Sequence, residues 1–348
     1  MNRHVEGVNT VKETVRIELD GVANAAEAVV RRHALGGGAY ARWGWENDRR
    51  DRGLGANAYG CADAVNILYT LNRFPTDADE RAAMTAALQS HQDAETGLFI
   101  EKTAFPHHAF HTTAHCTAAL EVLDARPLHP FRAFDPDLDI EAMKALLDGL
   151  EWETTKNSGH IGAGLYAALT ITDSVNDDWK DAYFDWLDAE CDEATGLWRR
   201  GHITDDVPLY QRMGDGFHFL FNYESAHRPY PYPERLIDSC LAMYNENRMP
   251  TNFGRRFHFT EIDWVFSLNR ASRQTPHRFY EVKAALRDFA QGYADYLSGV
   301  DWLTCEGAND LHLLFGTLCC FAELQQALPG VIRTHRPLRL TLDRRAFI

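Results

Sequence analysis

Two kinds of helical pattern alternate along this chain. The first is apolar nearly all round and rich in small residues. It covers 58–71, 111–123, 159–171 and 308–323, with 215–224 and 260–271 as less uniform members. A helix without a polar face is surrounded by protein on every side. The second kind is amphipathic. Ile140, Met143, Leu147 and Leu150 recur at helical spacing, with Glu141, Lys144 and Asp148 between them. Residues 177–189 mix Trp179, Tyr183, Phe184 and Leu187 with acids, and 79–89, 232–245 and 280–297 behave alike. These helices place one face on a core and one in water. Strand-like alternation is rare, so the pattern predicts an all-α fold.

The order of the two kinds carries more than their number. Six apolar helices start near residues 58, 110, 158, 215, 260 and 308, with five amphipathic helices between them and a sixth, 15–34, ahead of the first. Starts recurring about every 50 residues signal a repeat architecture. Six inner and six outer helices close into a double ring, an (α/α)6 toroid, over a single domain of residues 1–348 with 329–348 as an extended C-terminal tail. No linker-like stretch divides the chain. Two loops support the repeat: Asp93-Ala-Glu-Thr-Gly-Leu-Phe99 and Asp192-Glu-Ala-Thr-Gly-Leu-Trp198 each follow an outer helix. Their glycines are expected to end the helix in a left-handed conformation, and the ring that follows is expected to anchor the turn in the core.

The QDAETGLF segment, residues 92–99, resembles the Gln/Gly/aromatic turns of α/α-toroid proteins, among them terpenoid cyclases, protein prenyltransferase β-subunits, and six-hairpin glycosidases and polysaccharide lyases. The whole chain fits the six-hairpin layout. The resemblance implies a pocket at one mouth of the ring, near the starts of the inner helices.

Those starts carry reactive groups. In chain order they hold Asn57, Tyr59 and Asp63; His107, His108, His111 and His115; Asn157, Ser158 and His160; Asp215 and His218, with Tyr223 and Glu224 further along; His258, Glu261 and Asp263; and Glu306, Asn309, Asp310 and His312. Buried polar groups are costly unless paired, so a solvated funnel is the economical explanation. Helix capping accounts for about half of the acids and none of the histidines. In the long loop 36–55, Tyr40, Trp43 and Trp45 form a candidate stacking platform beside Arg42 and Glu46, or else a plug between the first and last hairpins.

Several chemistries use these residue types. Glycoside hydrolysis needs one protonated and one ionised carboxyl group, which Asp215 paired with Asp310 or Glu261 would supply. Glu261 and Asp263 point in different directions on a helix. Uronate elimination needs a base and a group that neutralises developing charge; His218, Tyr223, His258, Arg255 and Arg256 suit it. A sugar epimerase or isomerase would use two histidines. The catalytic candidates are therefore Asp215, His218, Glu261, Asp310, His111 and Tyr223. Substrate contacts are expected from Tyr40, Trp43, Trp45, Asp63, His108, His160, Arg256, Asp263 and His312. A terpenoid cyclase is the main alternative outside carbohydrate chemistry, but the Asp-x-Asp-Asp proton donor is missing, and Asp177-Asp178-Trp179-Lys180-Asp181 reads as a solvated cluster at an outer-helix start.

His107, His111 and His115 share one helix face, but eight residues is a wide span for a single ion. One or two of them are read as proton carriers, and no metal or cofactor is expected. Composition narrows the partners. The chain has 35 Lys and Arg against 50 Asp and Glu, a net charge of -15, which argues against nucleic acid and anionic membrane surfaces. The expected partner is a carbohydrate substrate. The seven cysteines are irregularly spaced, without a Cys-x-x-Cys pair, and residues 1–20 lack a signal-peptide pattern. Together these suggest reduced thiols in a cytoplasmic protein. The tail from 331 onward carries five Arg and reads as a strap over the outer helices or a contact in a homo-oligomer.

Overall fold

The computed structural model describes residues 16–46, 52–104, 106–155, 157–344 and 347. Among these the chain is mostly helical. In order, the helices are α1 (Asp20–His33), α2 (Ala58–Thr70), α3 (Ala78–Gln89), α4 (Ala109–Val122), α5 (Ile140–Asp148), α6 (Ser158–Ile171), α7 (Asp177–Glu190), α8 (Leu209–Ser225), α9 (Pro233–Asn245), α10 (Phe259–Ala271), α11 (Phe279–Ser298), α12 (Leu311–Ala327) and the short α13 (Thr341–Arg344). A 3-10 turn covers Arg132–Leu138. Among the described residues, no helix is long and apolar enough to cross a membrane.

The two kinds of helical pattern separate in space. Nearly every residue of α2, α4 and α10 is buried, whereas α3 buries only Met84 and Leu88 and α5 only Met143 and Leu147. The even-numbered helices from α2 to α12 pack in cyclic order. Each touches the next, and α12 returns to α2. The polar-faced helices pack against that set: α3 on α2 and α4, α5 on α6, α9 on α10, α11 on α12. The periodicity placed most of these boundaries within a few residues, but α1 begins at Asp20 and not near 15, and α8 begins at Leu209 and not at Asp215. Its first turns read as polar because of Gln211 and Arg212. Arg212 is nevertheless buried, donating to the Trp152 and Glu153 carbonyls.

The two matching loops have matching geometry. In each, the acid's carboxylate accepts from the Thr backbone N–H and hydroxyl, at 2.7–2.8 Å. Bridges join Gln92 to Phe99 and Cys191 to Trp198. Gly97 and Gly196 sit at φ +79° and +72°. A Cβ on Gly97 would lie 2.0 Å from the Pro130 carbonyl oxygen, and one on Gly196 would lie 2.7 Å from the Leu236 nitrogen. These glycines close tight hairpins several residues beyond the helix ends, so they are not helix caps as the sequence suggested. The rings do anchor the turns, with Phe99 and Trp198 fully buried.

Four short strands tie the ends together. β1 (Ile17–Glu18) pairs in parallel with β4 (Ile332–Arg333), while β2 (Ala34–Gly36) and β3 (Ala39–Tyr40) form a hairpin. Beyond β4 the tail departs from the expected path over the outer helices. It crosses the ends of the inner ones: Arg339 N–H donates to the Thr70 carbonyl at 2.8 Å, the Thr70 and Thr341 hydroxyls meet at 2.5 Å, and Asp343 pairs with Arg270 at 2.6 Å. Phe347 then inserts its fully buried ring 4.9 Å from His111 and 5.8 Å from His218.

Candidate functional site

At the opposite end, where the even-numbered helices begin, a cavity of about 170 Å³ is lined by His107, His111, His160, Gly214, Phe217, His218, Phe259, Asp263 and His312. Five imidazoles, from the stretch before α4 and from α4, α6, α8 and α12, thus face one small space. Their sequence separations are large, and the cyclic packing of α4, α6, α8 and α12 brings them together. Larger surface clefts lie elsewhere, one around Tyr244, Asn252 and Arg255 and another around Arg126, Arg273 and Arg344, but neither gathers the histidines.

Two buried clusters make up the histidine array. In the first, Asp63 Oδ1 lies 2.9 Å from His115 Nε2 and 3.2 Å from His312 Nδ1. Burial alone would raise the Asp63 pKa, but the pull of His312 and His115 holds it well below the usual carboxylate range. In the second, one ring nitrogen from each of His111, His160 and His218 lies within 4.8 Å of the others. Burial and the neighbouring imidazoles push all three downward, His218 to about 4. Tyr59 links the clusters. Its hydroxyl is 2.5 Å from His111 Nδ1, and its ring stacks on His107 and His115 at 4.3 and 4.8 Å.

A shelf of ion pairs holds the mouth. Arg42 Nε and Nη2 donate to the two Asp310 oxygens, both at 2.9 Å, and Nη1 donates to Glu101 Oε1 at 2.7 Å. Glu101 Oε2 lies 3.0 Å from His107 Nδ1. Burial raises the Glu101 pKa, but the His107 contact and Arg42 bring it down to about 2. Asp310 falls for the same reason, with Arg42 outweighing burial. Asp263, at the cavity wall, behaves oppositely. Burial and the nearby Glu261 raise its pKa well above the usual carboxylate range.

The expected site residues divide. His111, His160, His218, Asp263 and His312 line the cavity, and Asp63 stands directly behind His312. The others have structural partners. Asp215 accepts from Gly159 N–H at 2.6 Å and holds the start of α6; burial raises it to about 7. Asp310 caps α12 and binds Arg42. Glu261 accepts from Gly254 N–H at 3.0 Å and from Arg256, which thereby points away from the cavity wall. This agrees with Glu261 and Asp263 facing different ways. Tyr223 lies further along α8, donating to Asp188 at 2.5 Å among Phe184 and Trp198.

His108 and His258 correct the view that capping explains no histidine. Their Nδ1 atoms accept from Phe110 and Thr260 N–H at the starts of α4 and α10. The aromatic loop acts as a plug and not as a platform. Trp43 bridges to Asp310 and packs under Arg42, Trp45 is tied through its backbone to Asn309, and Tyr40 sits in β3 against Cys61. Residues 47–51 of that loop lie outside the described residues.

Glu101, Phe217, Phe259 and Phe347 are neighbours of the site that sequence reasoning missed. Only Glu101 left a signal, an acid two residues past the buried aromatic of a repeat loop. Compared with models of protein families, with curated proteins and with solved structures, the chain has no match.

Proposed function

We propose that the cyclic packing is an (α/α)6 toroid and that its mouth cavity is the active site of an enzyme moving protons on one sugar-sized molecule, in the manner of a carbohydrate epimerase or isomerase. The observation that carries this reading is that an oriented imidazole, His312, and a buried carboxyl group, Asp263, line one small cavity. Asp63 fixes His312 through Nδ1 and leaves Nε2 for the cavity, the arrangement by which a carboxylate orients a general base. Burial favours the protonated form of Asp263, the form that can donate a hydrogen bond to an oxygen that gains charge when the base removes a proton.

Glycosidic cleavage, the broader expectation for a six-hairpin protein, fits less well. Hydrolysis needs one ionised carboxylate facing the bond beside a protonated one. Asp63 and Asp310 carry charge but are spent on His115, His312 and Arg42. Asp215 is committed to Gly159. The volume also favours a single small molecule, since pockets for drug-sized ligands run to about 300–1,000 Å³. Uronate elimination keeps a candidate base at the cavity in His218 but loses Arg256, which Glu261 holds.

Incubation with a panel of aldoses, ketoses and uronates in D2O, followed by NMR, tests the proposal. Deuterium entering at one carbon, lost in His312→Gln and Asp263→Asn, is the expected result. Release of reducing ends from glycosides without any exchange would replace it with the hydrolytic reading.

A further inference from the structure

We infer that His111, His160 and His218 form a binding site for a divalent transition metal of the zinc type. They sit on three successive members of the cyclic set, α4, α6 and α8. One nitrogen from each already lies within 4.8 Å of the other two, and the ring centroids are 4.2, 4.7 and 5.3 Å apart. A Zn–N bond of about 2.0–2.1 Å places tetrahedral donors about 3.3 Å apart, so closing on an ion takes at most about 1.5 Å of side-chain movement.

The hydrogen bonds say which nitrogens are available. His218 Nδ1 lies 3.0 Å from the Gly214 carbonyl oxygen. A carbonyl only accepts, so Nδ1 carries the proton and Nε2 of the neutral ring presents a bare lone pair. A ligating histidine typically donates its other N–H to a carbonyl or another oxygen in this way. His111 Nδ1 is held by the Tyr59 hydroxyl, which directs its Nε2 to the same space. His160 Nδ1 is buried without a protein partner, a cost that a ligand would remove. Three imidazoles form a zinc set that keeps a fourth position open for water or substrate, and imidazole donors suit zinc, copper, iron and nickel better than calcium or magnesium.

The other cluster that brings donors this close, Asp63, His115 and His312, already has both rings engaged, although Asp63 Oδ2 is left without a partner. Both of its ring contacts converge on Asp63 Oδ1, so an ion there would have to displace hydrogen bonds already formed. The site does not depend on which reaction the cavity performs, because its test reads binding and not turnover.

The experiment is a Co2+ titration of the full chain after chelator treatment, followed by calorimetry and by the visible d–d absorption of the bound ion. One Co2+ per chain, displaced by Zn2+, is expected. His160→Ala should weaken binding about a hundredfold or more, and His108→Ala should leave it intact. Tyr59→Phe removes the second partner of His111 and keeps all three ligands, so it should weaken binding about 10–100-fold. It decides the matter if circular dichroism finds His160→Ala unfolded. Absence of stoichiometric uptake, uptake that survives both variants, or uptake lost in Asp63→Asn but kept in His160→Ala overturns the assignment.

Discussion

The two buried clusters around Tyr59 are built from similar residues and behave differently. Asp63, His115 and His312 contain one carboxylate and two imidazoles that meet on a single oxygen. His111, His160 and His218 contain three imidazoles and no carboxylate, with each bond they make directed outward or left unmade. The first is balanced by its own members. The second has no counter-charge of its own. Five of these six residues are buried and His160 is partly so; the presence of a counter-charge is what separates the clusters. A balanced cluster positions something else, here His312, whereas an unbalanced one is complete only with a cation.

Removing the counter-charge is the strongest way to break this contrast. Asp63→Ala leaves two buried imidazoles without their shared acceptor and opens a gap among packed rings. A loss of about 3–5 kcal/mol is expected, as for breaking other buried pairs, read from urea unfolding. If Asp63→Ala costs no more than a surface substitution, the cluster is not a charge-balanced unit.

A smaller loss is expected on the shelf above. Glu101→Gln keeps the shape but removes charge-assisted bonds to Arg42 and His107, for about 1.5–3 kcal/mol at neutral pH. The sign of the pH dependence follows from the depressed pKa. Glu101 sits at about 2 in the fold against about 4.3 unfolded. Its contribution is therefore fully present above the unfolded value and is lost as pH falls through about 2. The stability gap between the parent chain and Glu101→Gln should close across that window. A gap that stays constant from neutral pH down to about 2 would show that Glu101 acts by packing alone.

How far this contrast could be read in advance depends on distance along the chain. The alternation of helical patterns is local, and it placed α2, α4, α6, α10 and α12 because burial on all sides leaves no polar face to misread. Individual histidines were visible for the same reason, as polar residues at the starts of apolar runs. Their grouping was not. His111 and His115 share α4 and His107 lies just ahead of it, yet only His111 joins the three-histidine cluster, while His107 turns to Glu101 and His115 to Asp63. His160 and His218 come from other helices, and periodicity carries no information about which turns of two helices face each other.

The aromatic loop and the tail failed differently. Trp43 and Trp45 look equally suited to stacking a sugar or closing a ring, and only the contacts of Asn309 and Asp310 decide for closure. Phe347 lies in a stretch whose arginines draw attention away from it, although its ring ends up beside His111.

The smallest expected change in stability gives the sharpest comparison. His160→Leu replaces an imidazole whose Nδ1 is buried without a partner by an apolar side chain of similar size. No protein hydrogen bond to that atom is lost, and the cost of keeping it from water disappears. Stability should move by less than about 1 kcal/mol, and a gain is as acceptable as a loss, because replacing an unpaired buried polar group with well-packed carbon is close to neutral. Asp63→Ala and His160→Leu thus alter neighbouring clusters in one ring with unequal consequences, several kcal/mol against about one. Zinc reverses the ranking. A ligand that binds only the folded chain raises its stability by RT ln(1 + [L]/Kd), about 2.7 kcal/mol at a hundredfold excess over Kd. The parent chain should gain this on adding zinc, and His160→Leu should not. Thermal unfolding of both with and without zinc reads all four states. If His160→Leu costs as much as Asp63→Ala, the histidine cluster is held together by bonds of its own, and the distinction between a balanced and an open cluster fails.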